Sequence, residues 1–75
     1  MTKAYVLITA EIGRVQDIQE RLRAAGIAQV DIVAGNYSLI AVLDAEDARQ
    51  VGQIVVNVIQ HTPGVLSTTT LLQIG

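Results

Sequence analysis

Apolar positions along the chain follow two periods. Ala4-Tyr5-Val6-Leu7-Ile8-Thr9-Ala10 is rich in β-branched residues and predicts a strand. Beyond Gly13 the spacing lengthens. Val15, Ile18, Leu22 and Ala25 recur as one stripe of a helix, with Gln16, Asp17, Gln19, Glu20, Arg21 and Arg23 on the other side. Gly26 falls where a helix is commonly terminated. Val30-Asp31-Ile32-Val33-Ala34 predicts a second strand, Gly35-Asn36 a tight hairpin turn, and Ser38-Leu39-Ile40-Ala41-Val42-Leu43 the returning arm. Asp44 reads as an N-cap, with Glu46 and Asp47 in the first turn of a second helix. Val51, Ile54, Val55, Val58 and Ile59 make its stripe. Pro63-Gly64 ends it. Residues 65–74, with Thr68-Thr69-Thr70 inside them, predict a last strand.

The order is β-α-β-β-α-β, an α+β, ferredoxin-like arrangement. Right-handed crossovers place both helices on one face of a four-stranded antiparallel sheet. The other face is not polar. In the first strand one side is Ala4, Val6 and Ile8, and the other is Tyr5, Leu7 and Thr9; in the third, Leu39, Ala41 and Leu43 back onto Ile40 and Val42. A sheet wetted on one side alternates apolar with polar residues. The pattern here predicts a homodimer packed sheet against sheet, of the dimeric α+β barrel type.

Composition sharpens this expectation. Hydrophobic residues are 51% and charged residues 16% of a chain of 75 residues, which is one domain with too little charge to cover its outside. Self-association is the simplest outlet for the excess apolar surface. Five Lys and Arg against seven Asp and Glu leave a net charge of −2, which argues against direct nucleic-acid binding. No cysteine is present, so disulfides and thiolate metal sites are excluded. No apolar run approaches membrane-spanning length and no signal peptide is apparent, so the expected location is cytoplasmic.

No catalytic or metal-binding constellation stands out, and no cofactor is implied. Ser38 has neither a neighbouring His nor a Gly-x-Ser-x-Gly context. Asp44, Glu46 and Asp47 are accounted for by helix-start chemistry, and His61 by a hydrogen-bonding end to the second helix. Arg14 has Asp17 or another subunit as candidate partners. Gly35 and Asn36 suit a turn; Tyr37 suits either an edge or a stacked ligand. Thr68 and Thr70 are β-branched strand residues whose alternate hydroxyls could also line a polar pocket.

Taken together, Ala4-Tyr5-Val6-Leu7-Ile8, the Val33-Ala34-Gly35-Asn36-Tyr37 hairpin, residues 39–47, Thr62-Pro63-Gly64-Val65 and Ser67-Thr68-Thr69-Thr70 resemble the effector-binding (RAM) domain of the Lrp/AsnC transcriptional regulators. The resemblance extends over essentially the whole chain, as a single RAM-like domain spanning 1–75. It implies a stand-alone member without the helix-turn-helix, non-catalytic, forming dimers and rings of dimers. It also implies a small amino-acid effector held at the seams between dimers by Gly35, Asn36, Tyr37, Ser38, Thr68 and Thr70. A full-length Lrp/AsnC regulator is a further candidate partner. The family hairpin reads Gly-x-x-Asp; Ser38 keeps a hydrogen-bonding oxygen at the last position and loses the charge. Two other classes share the element order: small dimeric α+β barrel enzymes such as cofactor-free monooxygenases, and ACT-like amino-acid-binding modules.

Overall fold

The computed structural model describes residues 1–75. The elements are β1 (Thr2–Ala10), α1 (Val15–Ala24), β2 (Gln29–Ile32), β3 (Leu39–Ala45), α2 (Ala48–Ile54) and β4 (Val65–Leu72). They form one antiparallel sheet in the order β2-β3-β1-β4. This is the expected ferredoxin-like βαββαβ fold.

The core follows the strand alternation. Ala4, Val6 and Ile8 of β1, Leu39, Ala41, Leu43 and Ala45 of β3, and Val30 of β2 are buried together with Ile18 and Leu22 of α1 and Val51 of α2. Both helices therefore cover one face. Tyr5, Leu7, Ile40 and Val42 point the other way and remain only half-buried. Cross-strand register joins Leu71 and Thr69 of β4 to that open face beside Tyr5 and Leu7.

α1 ends through its own backbone. Gly26 N–H donates to the Arg23 carbonyl and Ile27 N–H to that of Leu22, each at 3.0 Å, and the buried Ile27 closes over the last turn. The second helix starts three residues later than its sequence suggests. Asp44 remains in β3, and Asp47 is the N-cap, its Oδ1 accepting from Gln50 N–H at 2.8 Å. Gln50 Oε1 in return accepts from Glu46 N–H. The cross-strand pairing of Thr2 with Ala45 and Lys3 with Asp44 carries β3 through these residues, overriding the local helix-start signal. No acidic residue then lies in the first turn.

α2 continues as a π-helical segment, Val55–Ile59, with Gln60 N–H donating to the Val55 carbonyl at 2.8 Å. Residues four apart drift around an α-helix; a wider turn reverses the drift. Val51, Val55 and Ile59 consequently stay in line over the core, all three buried.

Two strand limits also move. β4 stops at Leu72, short of residue 74, although Gln73 N–H still donates to the Lys3 carbonyl at 2.8 Å. β2 stops at Ile32, so the link to β3 is six residues, 33–38, in place of a two-residue turn. A type I′ turn would require positive φ at both central residues; Gly35 has φ 142° but Asn36 is not in that region. The loop is instead tied down by Ser38, whose N–H donates to the Ile8 carbonyl at 2.8 Å and whose carbonyl accepts from Val33 N–H at 2.9 Å.

Gly64 (φ +95°) fixes the way into β4. Its carbonyl accepts from Glu11 N–H at 2.8 Å, and a Cβ on it would stand 2.9 Å from Arg14 Cβ. The start of α1 and the start of β4 are thus packed backbone to side chain at one end of the sheet. There, Leu66 is looped out as a bulge between the Thr9–Ser67 and Ala10–Val65 pairs.

Candidate functional site

The six residues expected to form a binding site divide into two groups. Gly35, Asn36, Tyr37 and Ser38 occupy the β2–β3 loop, with Gly35 and Asn36 exposed and Tyr37 and Ser38 half-buried. Thr68 pairs with Ile8, the same residue whose carbonyl holds Ser38 from the other side. The loop and Thr68 therefore share one end of the sheet, flanking β1. Two strand spacings, about 10 Å, separate them. Thr70 lies opposite Val6, about 7 Å further along the strand.

Their chemistry is polar and uncharged. The Thr68 hydroxyl accepts from Gln60 Nε2 at 3.0 Å, a contact across the helix side of the sheet that the strand pattern does not foretell. The side chains of Asn36, Tyr37, Ser38 and Thr70 make no hydrogen bond within the chain and are free to meet a ligand or another subunit. One protomer does not gather these groups into a cavity. Both of its clefts lie elsewhere.

The larger cleft, about 300 Å³, is at the opposite end of the sheet. It is lined by Lys3, Gly26, Ile27, Ala28, Gln29, Val42, Leu43, Asp44 and Ile54. The smaller, about 250 Å³, is a wholly polar hollow over the start of α2, between Glu46, Asp47, Arg49, Gln50 and Gln53. The first was not legible in the sequence, because Lys3 and Asp44 are distant along the chain and meet only through strand register.

Other candidates have structural roles. Asp17 accepts from Arg21 Nε at 3.0 Å and from Arg14 Nη2 at 3.3 Å, which settles the partner of Arg14 within the chain. These contacts, that from Arg21 foremost, hold the Asp17 carboxyl below the usual carboxylate range. His61 Nδ1–H donates to the Val56 carbonyl at 2.8 Å, closing the π-helical segment. No group of three or more His, Asp or Glu stands together in a metal-binding arrangement, and no helix is long and apolar enough to cross a membrane.

A ferredoxin-like sheet with an open apolar face and polar loops gathered at one end defines a class of small regulatory and enzymatic domains. Within that class the family is shown by sequence: residues 3–74 match the Lrp/AsnC ligand binding domain, and the chain belongs to that family. It thus shares the effector-domain (RAM) module of transcriptional regulators. Among solved structures it is similar to TTHA0845 from Thermus thermophilus, at 33% identity and a TM-score of 0.92, covering 100% of this chain and 95% of that one. E. coli AsnC shares the fold at 16% identity and a TM-score of 0.90, over 99% of this chain and 51% of its own. The transcriptional regulator NMB0573 from Neisseria meningitidis, solved as an L-Met complex, does so at 12% identity and a TM-score of 0.77, over 99% and 50%. This chain spans about half the length of those two regulators. No curated protein matches it.

Proposed function

We propose that the chain is a non-catalytic module that senses a small amino acid and assembles through its sheet, any effect on transcription passing through partner proteins. Membership of the Lrp/AsnC ligand binding family carries this reading. A neighbour of the same fold solved with L-Met points to the amino-acid class of effector. The net charge of −2 supports DNA contact being made by partners and not by these 75 residues. Such a role belongs in the cytoplasm.

The effector would meet Gly35, Asn36, Tyr37, Ser38, Thr68 and Thr70. The unengaged side chains of Asn36, Tyr37, Ser38 and Thr70 suit a site completed by a neighbouring protomer. With Ser38 at the last hairpin position, the ligand ammonium is bound by neutral oxygens in place of a carboxylate. The apolar open face, centred on Tyr5, Leu7, Ile40 and Val42, supports a homodimer packed sheet to sheet, and rings of such dimers would create the seams. The interior is filled by Val, Ile, Leu and Ala and leaves no enclosed chamber of the kind a monooxygenase needs, which favours sensing over catalysis.

A thermal-shift panel of the twenty amino acids tests the reading. A ligand at about 100 times its Kd adds roughly 2.7 kcal/mol per site. A selective rise for one class of amino acid, lost in Thr70→Val and Ser38→Ala, is the expected result. No rise with any amino acid rejects sensing by the chain.

A further inference from the structure

The two edges of the sheet are not alike. β2 forms one and β4 the other. Val33 N–H bonds the Ser38 carbonyl, so residues 29, 31 and 33 face β3 while Val30 and Ile32 face outward. The outward Val30 carbonyl is already taken. Gln19 Nε2 donates to it at 2.7 Å and Arg23 Nη2 at 3.4 Å, both from α1. This edge is short, with four residues, and is covered by its own helix, two common guards against strand addition.

β4 has neither guard. Gln73 N–H bonds the Lys3 carbonyl, so the hydrogen-bonded pairs with β1 are 3/73, 5/71, 7/69 and 9/67. The N–H and carbonyl of Thr68, Thr70 and Leu72 therefore point away from the sheet, where no further strand lies. Residues 64–75 contain no charged residue and no proline, and the bulge at Leu66 precedes the run and leaves 67–72 regular. α2 packs over β3 and β1, so Thr70 and Leu72 are exposed on the helix side, as Thr69 and Leu71 are on the open side.

We propose that the β4 edge docks β4 of a second copy, antiparallel across a two-fold axis. Outward-facing residues must oppose one another. Setting Thr70 against the partner's Thr70 and Thr68 against the partner's Leu72 is the register that engages all three. Each such pair exchanges two hydrogen bonds, so three pairs make about six. The strand can meet itself because it carries no charge, and threonine facing threonine on the axis is a favourable cross-strand pair. On the other side Thr69 meets the partner's Leu71. Leu71 lies beside Tyr5 and so carries the apolar open face across the joint. Tyr5, Leu7, Ile40 and Val42 stay free for the sheet-to-sheet dimer. The joint is then the contact by which one dimer adds to the next, and it rests on the assembly reading above to that extent only.

The test is sedimentation equilibrium of the intact chain from about 10 µM to about 1 mM, the range of a weak contact. The mass should rise with concentration beyond that of the dimer. Thr70→Pro removes an outward N–H that no ladder bond uses, so the fold should be kept and the rise lost. Thr70→Lys sets like charges face to face on the axis and should abolish the rise without constraining the backbone. Thr70→Val, which the effector reading expects to lose its ligand response, should associate as the parent does. Leu7→Arg, deprived of the sheet-to-sheet dimer, should still pass from monomer to dimer over the same range. In the associating proteins, amide exchange at Thr68, Thr70 and Leu72 should slow as concentration rises, while Thr69 and Leu71 are protected throughout. Assembly beyond the dimer that survives both Thr70→Pro and Thr70→Lys would put the contact between dimers elsewhere and overturn the proposal. So would a Leu7→Arg chain that stays monomeric. Outward amides that exchange freely at every concentration would leave the edge to a strand of another protein, and would overturn it too.

Discussion

Replacing Gly64 by alanine tests how the start of α1 and the start of β4 are held together. The new Cβ would lie 2.9 Å from Arg14 Cβ, 3.2 Å from Arg14 Cγ and 3.3 Å from Ile18 Cδ1. The first contact is with the root of a side chain and cannot be relieved by rotating a flexible tip. The residue also has φ +95°, which costs a non-glycine residue about 1–2 kcal/mol. Overpacking adds about 1–3 kcal/mol, so the sum is about 2–5 kcal/mol. A domain of 75 residues at roughly 0.05–0.15 kcal/mol per residue has only about 4–11 kcal/mol in all. At about 4–8 °C per kcal/mol, the melting temperature should fall by about 10 °C or more. Gly52→Ala is the internal control. Gly52 is exposed within α2 with nothing within 4 Å of an added Cβ, and alanine there should stabilise by about 0.5–1 kcal/mol. Urea unfolding followed by far-UV circular dichroism, at one fixed protomer concentration, gives both values. A Gly64→Ala protein as stable as the parent would refute the packing argument. A destabilised Gly52→Ala protein would show that the helix assignment around residue 52 is wrong.

Three further outcomes are expected. Leu7→Arg puts a charge at the centre of the open face, and sedimentation velocity should show a shift from dimer to monomer at micromolar concentration; a parent chain that is itself monomeric there contradicts the sheet-to-sheet dimer. Asp47→Ala removes the side-chain acceptor for Gln50 N–H and should cost about 1 kcal/mol in urea unfolding, whereas Asp44→Ala, outside the helix, should leave the helix cap unaffected. Because the folded pKa of Asp17 lies below its unfolded value, its contribution is present above the unfolded pKa and is lost as pH falls through the folded one. Urea midpoints measured from about pH 5 down to about pH 2 should therefore fall less steeply in Asp17→Asn than in the parent, and identical slopes would remove Asp17 from the account.

Element type and order were legible from local pattern, because side-chain period follows directly from backbone geometry: two for Ala4, Val6 and Ile8, and between three and four for Val15, Ile18 and Leu22. The apolar reverse side of β1 and β3 was equally legible, since successive strand residues alternate between the two faces of the sheet. Boundaries were not. Asp44 and Asp47 carry the same local preference for a helix start, and only the β1–β3 register decides between them by holding Asp44 in the sheet. Gly35-Asn36 has the composition of a two-residue turn, but the Ser38–Ile8 hydrogen bond commits the loop to six residues. The candidate seam residues were found from family likeness, and the fold brings Ser38 and Thr68 to either side of Ile8 without building a pocket from them. The bare edge of β4 could not be told from the sequence. Its free backbone groups are set by the β1–β4 register, and the β2 edge is closed only because Gln19 and Arg23 of α1 reach the Val30 carbonyl. Local sequence sets what each segment becomes, because propensity and period act over a few residues. Which groups are left unpaired depends on register and termination, and those are settled by the competition of distant segments for the same hydrogen bonds.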